Sequence, residues 1–94
     1  MDSILQKNTE RCLICHSPSW LEWHHVYGNA YRTKSGDLGL VVRLCHYCHN
    51  EPPNGVHHNR EVRRKLQAFA QKKAMDHYGW DIDRFIKEFG KNYL

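Results

Sequence analysis

Two short cysteine pairs, Cys12-Leu13-Ile14-Cys15 and Cys45-His46-Tyr47-Cys48, constrain this chain more than anything else in it. Two residues between thiolates let the backbone turn both sulfurs toward one ion. Two such knuckles complete a tetrahedral zinc–sulfur shell. At 94 residues the chain makes one domain. A domain this short buries only about 60–65% of its unfolded surface, so a staple is expected. The mean hydropathy of −0.78 agrees with a small core. Two disulfides, or four thiols that merely pack, are the alternatives to zinc. The stretch Met1–Lys7 has no apolar run of signal-peptide length, and nothing approaches the roughly 18 apolar residues of a membrane span. The expected location is therefore the reducing cytoplasm, with no membrane partner, where cysteines in this spacing favour metal. Four thiolates leave no open position, so the zinc would be structural. His16 and His46 are spare ligands that the spacing does not require.

Between and after the knuckles the pattern is that of a small α+β domain. Residues 1–11 are polar and patternless and read as a short arm or an irregular start. Trp20-Leu21-Glu22-Trp23-His24-His25-Val26 alternates loosely and reads as a strand. Residues 27–39, with Gly28, Asn29, Gly36 and Gly39, read as a loop. Leu40-Val41-Val42-Arg43-Leu44 is β-branched and apolar, a second strand running into the second knuckle. Pro52, Pro53 and Gly55 forbid a continuous helix. A long helix is expected from Asn59 to Tyr78, with Val62, Leu66, Phe69, Ala70 and Ala74 on its core face, an Asn59 cap and a Gly79 stop. A short one follows an Asp81 cap, with Ile82, Phe85, Ile86 and Phe89 on one face, ending at Gly90. Trp20, Trp23 and Trp80 read as core or rim residues. Zinc would tie the start of the first strand to the end of the second.

The eight histidines need a separate explanation. His24-His25 ends the first strand, His49 follows the last knuckle cysteine, and His57 precedes the long helix. A closed hairpin would bring His24 and His49 into one region.

The run Cys12-x-x-Cys15, His24-His25, Leu44-Cys45-x-x-Cys48-His49 resembles the zinc-ribbon type of HNH endonuclease, especially its small phage-borne forms. The stretch Gly55-Val56-His57-His58-Asn59 before a basic helix is similar to those proteins too. The resemblance spans residues 12–59 firmly and residues 59–94, the helices, loosely. It implies a zinc-stabilised ββα-metal fold with an additional C-terminal helix, and hydrolysis of phosphodiester bonds in DNA. It implies that His24 binds the catalytic divalent ion, that His25 is the general base, and that His49 is a second ligand. His57 is the candidate third ligand, because Pro52-Pro53 displaces the helix that usually carries one. The implied ion is Mg²⁺ or Mn²⁺. An imidazole-rich shell also suits Ni²⁺ or Zn²⁺ by affinity order.

This chain departs from the family at one position: Leu40 stands where an asparagine usually orients the base. Asn29, Asp37 or a backbone carbonyl are the substitutes within reach of the sequence. Arg60, Arg63, Arg64 and Lys65 open the long helix, and Lys72 and Lys73 continue it, against Glu61 alone. The whole chain carries a net charge of +4, and Arg60, Arg63, Arg64 and Lys65 are the candidate grip on DNA phosphates. His77 suits the helix C-terminus. A second copy of the chain, or a phage or recombination protein, is a candidate partner. Two other readings remain: a zinc-ribbon module that binds nucleic acid without cutting it, and a structural zinc protein within a larger phage assembly.

Overall fold

The structure, a computed structural model, describes residues 1–94. β1 (Leu21–His25) and β2 (Val41–Cys45) form one antiparallel pair, with Leu21 opposite Cys45 and His25 opposite Val41. Side chains alternate across a strand. Glu22 and His24 therefore share one face of β1, and Leu21, Trp23 and His25 the other. The Arg43 guanidinium lies over the ring of Trp23, its cross-strand neighbour, 5.0 Å from the centroid.

The connection between the strands is not a bare loop. A single 3₁₀ turn at Asn29–Tyr31 leads into α1 (Arg32–Asp37). Gly36 inside this helix, with Gly28 and Gly39 before and after it, hid it from a reading of turn residues. Ser35, fully buried within it, donates to the Leu40 carbonyl and accepts from the Tyr27 amide, stitching helix to hairpin. Gly36 lies against the His25 ring, and a Cβ there would sit 3.2 Å from Nε2. Residues 1–11 are likewise no free arm. Ile4 donates to the Gly39 carbonyl, the Arg43 amide donates to the Gln6 side chain, and Leu5 is buried. Polar spacing concealed a segment that pairs with the outer edge of β2.

After β2 comes α2 (His46–Asn50), then a tight turn, then α3 (Arg60–Tyr78) and α4 (Ile82–Phe89). Asn59 caps α3 by accepting from the Val62 amide, and Gly79 ends it in the left-handed region at φ 68°. Asp81 caps α4 in the same manner, and Gly90 ends it. α3 buries Leu66, Ala70, Gln71 and Ala74. Phe69, expected in the core, is instead 37% exposed, its ring covered on one side by Lys73. α4 buries Phe85 and Phe89, while Ile82 and Ile86 stay largely exposed on its flank. Trp20 stands out from the surface at 70% exposure. The core gathers around Tyr27, whose ring meets Phe85, Phe89 and Tyr93 and whose hydroxyl donates to the Gln67 carbonyl at 2.6 Å. No helix is long and apolar enough to cross a membrane.

Candidate metal centres

The first centre is built by the two knuckles. The Cys12 amide donates to the Ser17 carbonyl and the Leu13 amide to the Arg43 carbonyl, so the first knuckle lies across the end of β2 that carries Cys45. The sulfurs of Cys12, Cys15, Cys45 and Cys48 all lie within 4.8 Å of one another, with Cys15 and Cys45 at 3.5 Å. A tetrahedral ion with bonds of about 2.3 Å sets sulfur–sulfur edges of about 3.8 Å, so the quartet could hold zinc. All four cysteines are free of disulfides. Burial acts to raise the Cys12 thiol, but the amides of Cys15, Cys45 and Ile14 outweigh it and bring it down to about 7. Burial and the neighbouring sulfurs push Cys48 up. Four thiols at this spacing cannot all ionise together without a cation among them. His16 and His46 offer no ligand atom to this cluster.

The second centre is built by histidines from three elements. His24, His49 and His57 have ring nitrogens within 4.8 Å of one another. An ion with bonds of about 2.1 Å spaces its nitrogen ligands about 3.0–3.4 Å apart, so this set fits one too. His24 comes from the buried face of β1, His49 from α2, and His57 from the segment before α3. The turn at residues 51–55 delivers His57. The Gly55 amide donates to the Glu51 carbonyl, then Val56 to Cys48 and His57 to His49, so the chain doubles back alongside the second knuckle. A Cβ on Gly55 would meet the Glu51 carbonyl oxygen at 2.6 Å and its nitrogen at 2.7 Å. Only glycine permits this turn. Nε2 of His57 lies 2.9 Å from Nε2 of His49.

Glu22 was not among the residues singled out from the sequence, yet it organises this centre. One carboxylate oxygen accepts from Nδ1 of His49 at 2.8 Å and from the Asn50 side-chain amide at 2.9 Å; the other lies 3.2 Å from Nδ1 of His46. With Nδ1 of His49 carrying the proton toward Glu22, the Nε2 lone pair is turned toward His24 and His57. This is the carboxylate–histidine arrangement that fixes the tautomer of a metal ligand. The hydrogen bond from His49 holds the Glu22 carboxyl below its usual range, with His46 adding to it. His46 also meets Glu51 at 2.8 Å, and the two carboxylates push its ring up. The period of a strand places Glu22 beside His24, which was the available signal.

Burial pushes the His24 ring down to about 3, reinforced by His49, His57 and His25, so it stays neutral and able to ligate. Burial lowers His57 as well, with His49, Arg63 and His58 adding to it. His57 is solvent-exposed, leaving the centre open on that side; at the first centre Cys12 and Cys45 are buried, Cys48 is partly buried and Cys15 is exposed. His25 leaves β1 on the opposite face from His24 and lines a recess with Arg32, Thr33, Gly36 and Asp37. Burial and then the Arg32 charge lower its ring, and no protein group hydrogen-bonds to it. Leu40 is fully buried; its amide and carbonyl are taken by Ser35 and Val26, so its backbone does not reach His25.

Arg60, Arg63 and Arg64 cluster at the first turns of α3, while Lys65 pairs with Glu61 at 3.3 Å. The chain matches no protein-family model, and neither a curated protein nor a solved structure matches it.

Proposed function

We propose that this chain is a metal-dependent endonuclease of the HNH type that hydrolyses phosphodiester bonds in DNA. The observation that carries the reading is the three-histidine cluster, His24, His49 and His57, on a cysteine-tied hairpin, with His49 oriented by Glu22. Three imidazoles leave coordination positions open, unlike the cysteine quartet. A divalent ion held there would supply charge to the scissile phosphate and to the oxygen that leaves.

The chain's own groups supply the rest. His25, kept neutral by burial and Arg32, has a free nitrogen to take a proton from water. In-line displacement at phosphorus asks for attacking and leaving oxygens on opposite sides. His24 and His25 are the last two residues of β1, so base and ion would meet one phosphate around the end of the strand. Arg32 lines the His25 recess and offers a guanidinium to a phosphate oxygen there. Arg60, Arg63 and Arg64 add sequence-independent contacts to the backbone.

A binding module that does not cut is the second reading. Leu40 in place of the usual asparagine, and the absence of a hydrogen-bond partner for His25, favour it. Nicking of supercoiled plasmid with Mg²⁺, Mn²⁺ or Ni²⁺ separates the two. The nuclease reading expects wild-type protein to nick and His25→Ala to lose activity while keeping zinc and fold. Absence of cleavage on duplex, single-stranded and branched DNA with every ion would leave the binding module.

A further inference from the structure

Residues 91–94 follow the last helix without regular structure, yet they are pinned in place. Gln71 of α3 is fully buried; its amide nitrogen donates to the Asn92 side chain at 2.8 Å, and its oxygen accepts from the Tyr93 amide at 2.6 Å. The Tyr93 ring packs against Tyr27 at 5.0 Å, and the Lys91 ammonium lies over that ring at 4.9 Å. A buried amide with both ends satisfied holds a segment firmly, because losing either partner leaves a polar group stranded. The pinned segment forms the second wall of a groove of about 280 Å³ whose first wall is Arg60, Arg63, Arg64 and Gln67. Four cations face this space and no lining residue has a carboxylate side chain; even a terminal carboxylate on Leu94, which also lines it, would leave an excess of three positive charges. None of the four belongs to an ion pair: the carboxylates that pair elsewhere are Glu22, Glu51, Glu61 and Glu88. Four unpaired cations converging on one rigid groove repel one another, and an anion relieves that repulsion. Planar guanidinium groups match phosphate oxygens in pairs, and Lys91 adds a point charge.

We propose that this groove binds a phosphodiester of the nucleic-acid backbone, next to the one cleaved, and that Lys91 is part of the grip. The proposal rests on the nuclease reading for the word cleaved alone. The groove adjoins the histidine centre: Arg63 lines it and also donates to the Val56 carbonyl, one residue before His57. A backbone phosphate held there would fix the register of the strand across the metal centre. It would do so without reading base identity.

The test uses the full chain loaded with a single equivalent of zinc for the tighter cysteine centre and no further divalent ion, so that the histidine centre stays empty and binding is scored without cleavage. Labelled duplex and single-stranded oligonucleotides report affinity by anisotropy across a salt series, for wild type, Lys91→Ala, Arg64→Ala and Lys72→Ala. Lys72 lies farther along α3 and outside the groove. Lys91→Ala and Arg64→Ala are each expected to weaken binding about threefold to tenfold and to lower the log–log salt slope by about 1, as for loss of one phosphate contact. Lys72→Ala is expected to leave both unchanged. A parallel titration of inorganic phosphate into ¹⁵N-labelled protein should shift amides of residues 60–67 and 91–94. Phosphate shifts there with undiminished DNA affinity in Lys91→Ala would assign the groove to a phosphate-bearing small molecule and overturn the backbone contact. Unchanged affinity with no phosphate shifts would overturn the site altogether. Binding that depends on Lys91 in a protein that never cuts DNA would sink the nuclease reading and leave the groove standing.

Discussion

Glu22→Ala should weaken divalent-ion binding at the histidine centre while sparing the cysteine centre. The wild-type carboxylate takes a 2.8 Å hydrogen bond from His49 and a 2.9 Å bond from Asn50, and so fixes which His49 nitrogen faces His24 and His57. Removing such a partner typically costs ten- to a hundredfold in metal affinity. Glu22 is 38% exposed, so water screens its charge and partly replaces it. The loss therefore belongs in the lower part of that range, about 10–30-fold, equivalent to about 1.4–2 kcal/mol. Glu22→Gln keeps one oxygen for His49 but no charge, and should lose roughly half as much free energy, since charge-assisted bonds are about twice as strong as neutral ones. Calorimetric titration of Mn²⁺ into zinc-loaded protein measures both. His46→Ala is the control. It removes the other imidazole on Glu22 and leaves the His49 contact, so Mn²⁺ affinity should stay near the wild-type value. Equal Mn²⁺ affinity for wild type and Glu22→Ala, with one zinc retained in each, would refute the role given to this carboxylate.

Stripping the cysteine centre with a strong chelator should abolish cooperative unfolding in a circular-dichroism melt. Zinc binding of this kind contributes about 10–16 kcal/mol, as much as the entire stability of a small domain; a sharp, unchanged transition in the apoprotein would contradict it. Gly55→Ala should match His57→Ala in Mn²⁺ titrations, because the added Cβ collides with the Glu51 backbone and moves His57 away from His49. Wild-type affinity in Gly55→Ala would show that the turn does not deliver the ligand. Asn59→Ala should cost about 1 kcal/mol through the lost cap on α3, a fall in Tm of roughly 4–8 °C; an unchanged Tm would mean that the cap is dispensable.

Much of the frame was legible because local chemistry dictates it. The knuckle spacing anticipated the sulfur cluster, and the caps at Asn59 and Asp81 with stops at Gly79 and Gly90 bounded both C-terminal helices within a residue. The grouping of His24 with His49 followed from closing the hairpin, and His57 joined them through a turn that the prolines and Gly55 hinted at but did not determine. What escaped depends on partners far along the chain. Glu22 reads as an ordinary solvent-facing strand residue until α2, which follows β2, brings His46, His49 and Asn50 around it. Leu5 looks like part of a polar arm until the edge of β2 is present to receive it. Lys91 shows no pattern at all. Its place beside Arg64 comes from Gln71, a polar residue buried where an apolar one would be expected. Phe69 failed in the other direction, since helical periodicity selects a broader face than the rest of the fold covers.

A three-histidine cluster beside a four-cysteine cluster underlies both the proposed chemistry and the predictions. Counting metals by native mass spectrometry tests it most directly, on wild type and His24→Ala after exposure to zinc followed by Mn²⁺ or Ni²⁺. Two ions per chain are expected in wild type, one bound tightly and one exchangeable. His24→Ala should keep the first and lose the second. A single ion in both proteins would contradict the second centre and, with it, the nuclease.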